Sequence, residues 1–273
     1  MSAHELDHLA IAVPAWAPAG PVLNRELGAR WGGGFTTEAF NPCQLAVVDD
    51  MRVELLEPSG SEHSFIQRFL DQHEGSAAPH HVTFKVGDIR SAIAAAQEAG
   101  IEPILVNLQH PGWQEAFLHP RDTGLGFLAQ LVQSTTILDA SAEQLPHSTG
   151  GCPWDEQNTD PVRVQLIHGV VEDLPLARTV LVDVLGARTF GIGPAPRGQR
   201  DVLGFGWNEG ADLVLSQGTA IGWDAIGILP AETFWPPGDY PTDLTAQLGE
   251  GTGHPELGIR IAALRSATVS ADS

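Results

Sequence analysis

Asp7-His8-Leu9-Ala10-Ile11-Ala12-Val13 and His80-His81-Val82-Thr83-Phe84-Lys85-Val86 decide how this chain is read. Both are short apolar runs of strand character with histidine near the start. Each leads toward a small or apolar residue followed by glycine, Leu27-Gly28 in one case and Ala99-Gly100 in the other. That glycine lies 15 residues after Val13 and 14 after Val86, and His8 and His81 are 73 apart. Similar elements recurring at one period signal an internal repeat. Residues 89–99 (IRSAIAAAQEA) predict a helix, because alanine-rich apolar spacing runs into a glycine stop. The equivalent first helix is marked less sharply, since Pro14, Pro18 and Pro21 fall where it begins.

Strand-like runs follow each helix. The first unit has residues 44–48 and 51–56, stopped by Glu57-Pro58, and the second has 114–118, stopped by His119-Pro120, and 126–132. Residues 5–133 are read as strand, helix and three strands, twice over, with two of the three later strands marked in each unit. Residues 134–161 are rich in Ser, Thr, Gly, Pro and Asp and read as a linker. The pattern then restarts with a strand at 163–171, an amphipathic helix at 173–185 ending on Gly186, and strands at 202–207 and 212–215. Near the end, His254-Pro-Glu-Leu-Gly echoes His119-Pro-Arg-Asp-Thr-Gly. The expected fold class is α+β: two tandem modules of paired βαβββ units, at residues 1–135 and 162–273, joined by a linker at 136–161.

The 273 residues are 42% hydrophobic, enough to bury a sizeable core. No run of 18 apolar residues predicts a membrane span, and the start, MSAHELDH, has neither the basic nor the apolar region of a signal peptide. Cys43 and Cys152 give no disulfide framework, so the cytoplasm is the expected compartment and Cys43 reads as a small core residue. The formal charge of −20 argues against nucleic acid and anionic lipid as partners. An anionic substrate would need local positive charge, which a bound divalent cation supplies.

Equivalent positions in a two-fold repeat converge on its axis. His8 and His81 are equivalent, and so are Glu54 in Arg52-Val-Glu-Leu-Leu and Gln130 in Leu128-Ala-Gln-Leu, which are 76 apart. Each of that second pair is a polar residue inside an apolar strand, and buried polar groups need partners. Two imidazoles, a carboxylate and an amide oxygen suit a borderline divalent ion such as Co, Ni, Mn, Fe or Zn. By the two-residue strand period, His80 is expected on the opposite face from His81. His110 and His119 stand before loops and are not expected to be ligands. Glu38 is a candidate general base, although it also reads as a loop carboxylate.

The segments DHLAIAV, VELLEP, HHVTFKV and FLHPRDTG, in that order and spacing, resemble the vicinal oxygen chelate superfamily, and within it methylmalonyl-CoA epimerases over roughly residues 5–133. The resemblance implies a metal held by His8, Glu54, His81 and Gln130. It implies an isomerase or lyase working through a metal-stabilised enolate on a small carbonyl or acyl-CoA substrate. Epimerases of this kind usually carry Glu on the final strand, where Gln130 stands, and some carry Gln where Glu54 stands, so the pair reads as swapped with the same ligand set and charge; if the final Glu is needed for chemistry, an amide there cannot relay protons. In the second module Leu166, Val214 and Ala262 fall opposite His8, Glu54 and Gln130, so that module is expected to bind no metal. His168 shares their face but has no evident partner. Such a module would shape the pocket or stand in for the second subunit of a homodimer. Two other functions remain open. Two histidines and a carboxylate also suit a non-haem iron dioxygenase. Alternatively, the seven tryptophans, Trp207, Trp223 and Trp235 among them, would let a resistance-type binding protein stack on an aromatic ligand.

Overall fold

In the computed structural model, residues 4–62, 64–134, 150–192 and 202–266 are described. The first module comprises β1 (Glu5–Ala12), α1 (Trp16–Leu27), β2 (Arg30–Gly34), β3 (Phe40–Ala46), β4 (Arg52–Pro58), α2 (Phe65–Gln72), β5 (Ala78–Lys85), α3 (Ile89–Glu98), β6 (Ile104–His110), β7 (Trp113–Leu118), α4 (Pro120–Thr123) and β8 (Leu128–Ser134). The second comprises β9 (Arg163–Val171), α5 (Leu174–Thr179) with a further turn at Val180–Val184, β10 (Arg188–Gly191), β11 (Val202–Gly206), β12 (Asp212–Gln217), β13 (Gly222–Leu229), α6 (Leu244–Gly249), β14 (Thr252–His254) and β15 (Ile259–Ala263). None of the described helices is long and apolar enough to cross a membrane.

The strands form two mixed sheets, ordered β2-β3-β4-β1-β5-β8-β7-β6 and β10-β11-β12-β9-β13-β15-β14. In each unit the first strand pairs in parallel with the last, as β1 with β4, β5 with β8, β9 with β12 and β13 with β15. Parallel partners need a long crossover, and α1, α3 and α5 supply it in three of the four units. The two units of each module meet through antiparallel pairing of their first strands, β1 with β5 and β9 with β13. The fourth unit departs from the expected pattern. It has two strands after β13 where the others have three, with residues 230–243 and α6 in between.

Alternation sorts side chains to two faces. Leu9, Ile11, Val53, Leu55, Val82 and Phe84 face the helices, in a core that also takes Ile167, Trp207 and Leu213 of the second module. Trp207 packs its ring 5.2 Å from Phe84 and donates from Nε1 to the Leu185 carbonyl, so it belongs to the core between modules. The outer faces carry two separate clusters. One gathers Ala10, Ala12 and Leu56 under Ile66 and Leu70 of α2. The other gathers Leu166, Val214, Ala225 and Ala262 with Trp235, Tyr240, Leu244 and Leu248.

Pro18 sits in the first turn of α1, where a missing N–H costs little, Pro21 lies inside the helix, and Gly28 closes it in the left-handed region at φ 59°. A side chain at Gly28 would also meet the Asp160 carbonyl at 2.3 Å. Residues 136–149 of the expected linker lie outside the described residues. Residues 150–161 pack along α1: Trp154 covers Gly20 and lies edge-on to Trp31 at 5.3 Å, and Asn24 exchanges hydrogen bonds with the backbone of Gln157 and Asn158.

Because the core is shared, the two modules should unfold together. Phe84→Ala is expected to cost about 3–5 kcal/mol, since it empties the contact with Trp207. Urea titrations followed by Trp fluorescence and by far-UV circular dichroism should give coincident transitions, both moved to lower urea by the substitution.

Candidate metal centre

The register places His8, Glu54, His81 and Gln130 on one outer face. Ala10 pairs with both Glu54 and His81, and Thr83 pairs with Gln130. His8 and His81 lie edge to face with centroids 5.9 Å apart. Glu54 Oε2 stands 3.6 Å from His8 Nε2 and 3.9 Å from His81 Nε2, and one ligand atom from each of the three residues lies within 4.8 Å of the others. Ligand atoms at about 2.1 Å from a tetrahedral ion stand about 3.4 Å apart, so a small contraction would close this set on a cation. Among the described residues it is the sole group of three or more His, Cys, Asp or Glu with such geometry.

Gln130 joins the group. Its Oε1 lies 3.2 Å from His81 Nε2 and accepts from Thr83 Oγ1 at 2.6 Å, while its Nε2 donates to Glu115 Oε2 at 2.7 Å. The carboxylate on one side and the hydroxyl on the other fix which end of the amide faces the histidines. Gln44 Nε2 donates to Glu54 Oε1 at 3.3 Å, leaving Gln44 Oε1 buried with no partner. That orphan acceptor beside the carboxylate, and a donor set of two imidazoles, one carboxylate and one amide oxygen, both fit a hydrated borderline divalent ion. Sequence reasoning missed Thr83, Gln44 and Glu115. Their alternation on the face shared with Glu54 and Gln130 was the available signal.

Each histidine has an outer partner on Nδ1, which leaves Nε2 facing the centre. His8 Nδ1 donates to Asp7 Oδ2 at 2.7 Å, and Arg52 holds the same carboxylate at 3.3 Å. His81 Nδ1 lies 2.8 Å from His80 Nδ1. This corrects the sequence expectation for His80. A bulge lets Ala10 and Ile11 pair with His81 and Pro79, so His80 is the extra residue and turns toward the same side. Phe65 and Phe69 of α2 pack on its ring at 5.9 and 4.7 Å. Glu38 is not brought to this group. It is exposed between β2 and β3, and its carbonyl accepts from the hydroxyls of Ser59 and Ser61, both at 2.8 Å.

The second module keeps the scaffold. Register against β12, β13 and β15 sets Leu166, Val214, Ala225 and Ala262 at the places of His8, Glu54, His81 and Gln130. All four lie in one hydrophobic cluster. His168 does have partners, contrary to expectation: Asp224 at Nδ1 and Ser216 at Nε2. Trp235 packs against Tyr240, and Trp223 lies 3.8 Å from Phe127 across the modules.

Electrostatics separate the histidines. Burial opposes charge on His8, but hydrogen bonds to Asp7 and Glu54 outweigh it and push its pKa up to about 9. Burial, with the positive charge of His80 and His8 nearby, holds His81 well below the ordinary histidine value. Burial lowers His80 to about 4. His8 thus binds a proton more tightly folded than unfolded, and its contribution is lost as pH rises from 6.5 through about 9. His80 and His81 bind protons less tightly folded, so their contribution is lost as pH falls below 6.5. Thermal melts in chelator should therefore show stability falling on both sides of about pH 6.5, and His8→Gln should remove the alkaline limb and, by taking a like charge away from His81, soften the acid one.

Residues 7–117 match the profile of the Glyoxalase/Bleomycin resistance protein/Dioxygenase superfamily. Among solved structures, methylmalonyl-CoA epimerase from Mycobacterium tuberculosis is similar at 23% identity and TM-score 0.43, over 48% of this chain and 89% of that one. A hypothetical protein from Bacillus halodurans is similar at 27% identity and TM-score 0.43, over 49% and 96%. A hypothetical protein from Staphylococcus aureus is similar at 9% identity and TM-score 0.61, over 96% of this chain and 100% of that one, so the two-module architecture extends along nearly the whole chain. No curated protein sequence matches the chain. The family match falls wholly within the first module.

Proposed function

We propose that the first module is a divalent-metal enzyme of the isomerase or lyase type, with His8, Glu54, His81 and Gln130 holding the ion. The observation that carries this reading is the convergence of His8, Glu54 and His81 ligand atoms within 4.8 Å of one another on one buried strand face. When bound, a divalent ion supplies Lewis acidity for the negative charge that develops on a carbonyl oxygen as an adjacent proton leaves. The chain's own groups prepare the place for it. Asp7 orients His8, and His80 accepts from Nδ1 of His81 once the Nε2 lone pair is committed to the ion. Glu115 turns the Gln130 oxygen inward. One carboxylate among four ligands leaves a site of net positive charge, which suits adjacent oxygens of an anionic or enolate-forming substrate in a chain whose charge is −20.

Glu115 is the carboxylate tied to this network through Gln130, and we assign it, in place of Glu38, as the candidate proton acceptor. The same two-histidine, one-carboxylate set favours a second reading, a non-haem iron dioxygenase.

Elemental analysis of the purified protein should find about one divalent ion per chain, and His8→Ala and His81→Ala should each abolish it; full metal content in both variants removes the reading. His80→Phe should weaken ion affinity by about 10–100-fold, read by competition with a chelating dye. Deuterium exchange into 2-methylmalonyl-CoA should depend on the metal and fall about 100-fold or more in Glu115→Gln while Glu38→Gln retains it. Oxygen uptake coupled to bound iron, with no exchange, selects the dioxygenase.

A further inference from the structure

The two modules carry polar groups on the same outer face but at different positions. In the first module the positions of His8, Glu54, His81 and Gln130 are polar, and Ala10, paired with Glu54 and His81, is apolar and covered with Leu56 by α2. In the second module this is reversed. The equivalent positions hold Leu166, Val214, Ala225 and Ala262, covered by Trp235, Tyr240, Leu244 and Leu248 of the segment between β13 and β14. His168 stands where the first module has Ala10, Ser216 where it has Leu56, and Arg260 where it has Leu128. The bulge that turns His80 recurs between Trp223 and Ala225, and it brings Asp224 to the same side.

These residues form a connected chain. Ser216 Oγ lies 2.9 Å from His168 Nε2, and His168 Nδ1 lies 3.0 Å from Asp224 Oδ2. Arg260 Nη2 donates to the other oxygen of Asp224. The hydrogen bond from His168, reinforced by Arg260, holds Asp224 down to about pKa 2, so it stays ionised. Hydroxyl, imidazole and carboxylate in that order are the parts of an activated nucleophile: the base accepts the hydroxyl proton, and the carboxylate fixes its tautomer and steadies the imidazolium. Two features point to a ligand. Among the described residues no counterpart of α2 lies over this group, since β12 joins β13 through residues 218–221 alone, and Ser216 is partly exposed. Arg260 Nε is buried with no hydrogen-bond partner, a donor that a substrate oxygen would satisfy.

The geometry points to a second reactive site, in which Ser216 is a nucleophile toward small carboxylic esters, with His168 as its base and Asp224 as the orienting group. Ser216 Oγ attacks the ester carbonyl carbon while its proton passes to His168 Nε2. The bond to the alcohol oxygen then breaks, and His168 returns the proton to the departing alkoxide. Water, deprotonated by His168, then attacks the acyl carbon; the bond to Ser216 Oγ breaks, and His168 returns the proton to Oγ, releasing the acid and restoring Ser216. The site is independent of the metal centre and needs no co-reactant beyond water.

The test uses the intact protein and a fluorophosphonate probe, followed by intact mass and peptide mapping. One adduct per chain, located on Ser216, is expected, together with a burst of about one equivalent of p-nitrophenol from p-nitrophenyl acetate. Ser216→Ala should remove the adduct, and His168→Gln should slow labelling by about 100-fold or more, with metal content unchanged. Failure of the native protein to label, or an adduct mapped to another residue, overturns the proposal. Mapping is done on the native chain, so this result holds whether or not either variant folds. A purely structural tie between β9, β12 and β13 predicts lower melting temperatures in the variants and no labelling at all.

Discussion

β1 and β5 run antiparallel at the middle of the eight-stranded sheet, and their backbone pairing determines which side chains can meet. Ala10 opposite His81, with Glu54 beside Ala10 on the other flank, brings residues from three separate strands around one point. Moving either register by one residue would send His8 or His81 into the core that faces the helices. Leu9, Val82 and Phe84 occupy that core, and their burial holds the strands in place. The apolar face thus enforces the polar one. The cost of setting His8 in the sheet with no exposure is met by Asp7 on one side and by Glu54 and Thr83 on the other.

The charges around the centre are arranged asymmetrically. His8 has carboxylates on both sides, whereas His81 has an amide and a second imidazole. One ring is therefore ready to exchange a proton for a cation, and the other presents a free lone pair at neutral pH. An overall charge of −20 raises the local concentration of cations and lowers that of anions. A substrate bearing carboxylate or phosphate would have to gain its affinity at close range.

How much of this was legible in sequence depended on the period of each signal. The His8 and His81 repeat, the glycine stops after α1 and α3, and the alternation around Glu54 and Gln130 recur at fixed spacing, so the fold of the first module could be read from spacing alone. β9 fell on the expected residues 163–171. The bulge at His80 has no residue signature, since it depends on how β5 sits against β1, and a strict period of two misplaced that side chain. α2 is eight residues long, between strands that needed no crossover, and nothing in FIQRFLDQ required it. Thr83 and Glu115 looked like ordinary strand residues because their roles arise only through Gln130, 47 and 15 positions away. His168 looked isolated for the same reason: Ser216 and Asp224 lie 48 and 56 positions further on.

Comparison of the two modules gives this pattern a physical reason. An outer strand face of this fold is covered only in part, and the uncovered part must be filled by water, ligand or polar contacts. The first module has α2 after β4, which covers Ala10 and Leu56 and leaves His8 and His81 to polar contacts. The second module has a short turn after β12 and its covering segment after β13, so the places equivalent to His8, Glu54, His81 and Gln130 are packed with Trp235, Tyr240 and Leu244. Tyr240 is anchored there by donating to Asp212 at 2.5 Å and accepting from Gln165 at 2.9 Å, so the cover is pinned by buried polar groups as well as by apolar contact. The same scaffold occurs twice, and the position of one insertion relative to the central strands decides which part of each outer face stays open. The apolar residues at the places of His8, Glu54, His81 and Gln130 in the second module, and the polar group of His168, Ser216 and Asp224 beside them, are then two consequences of the same change in covering.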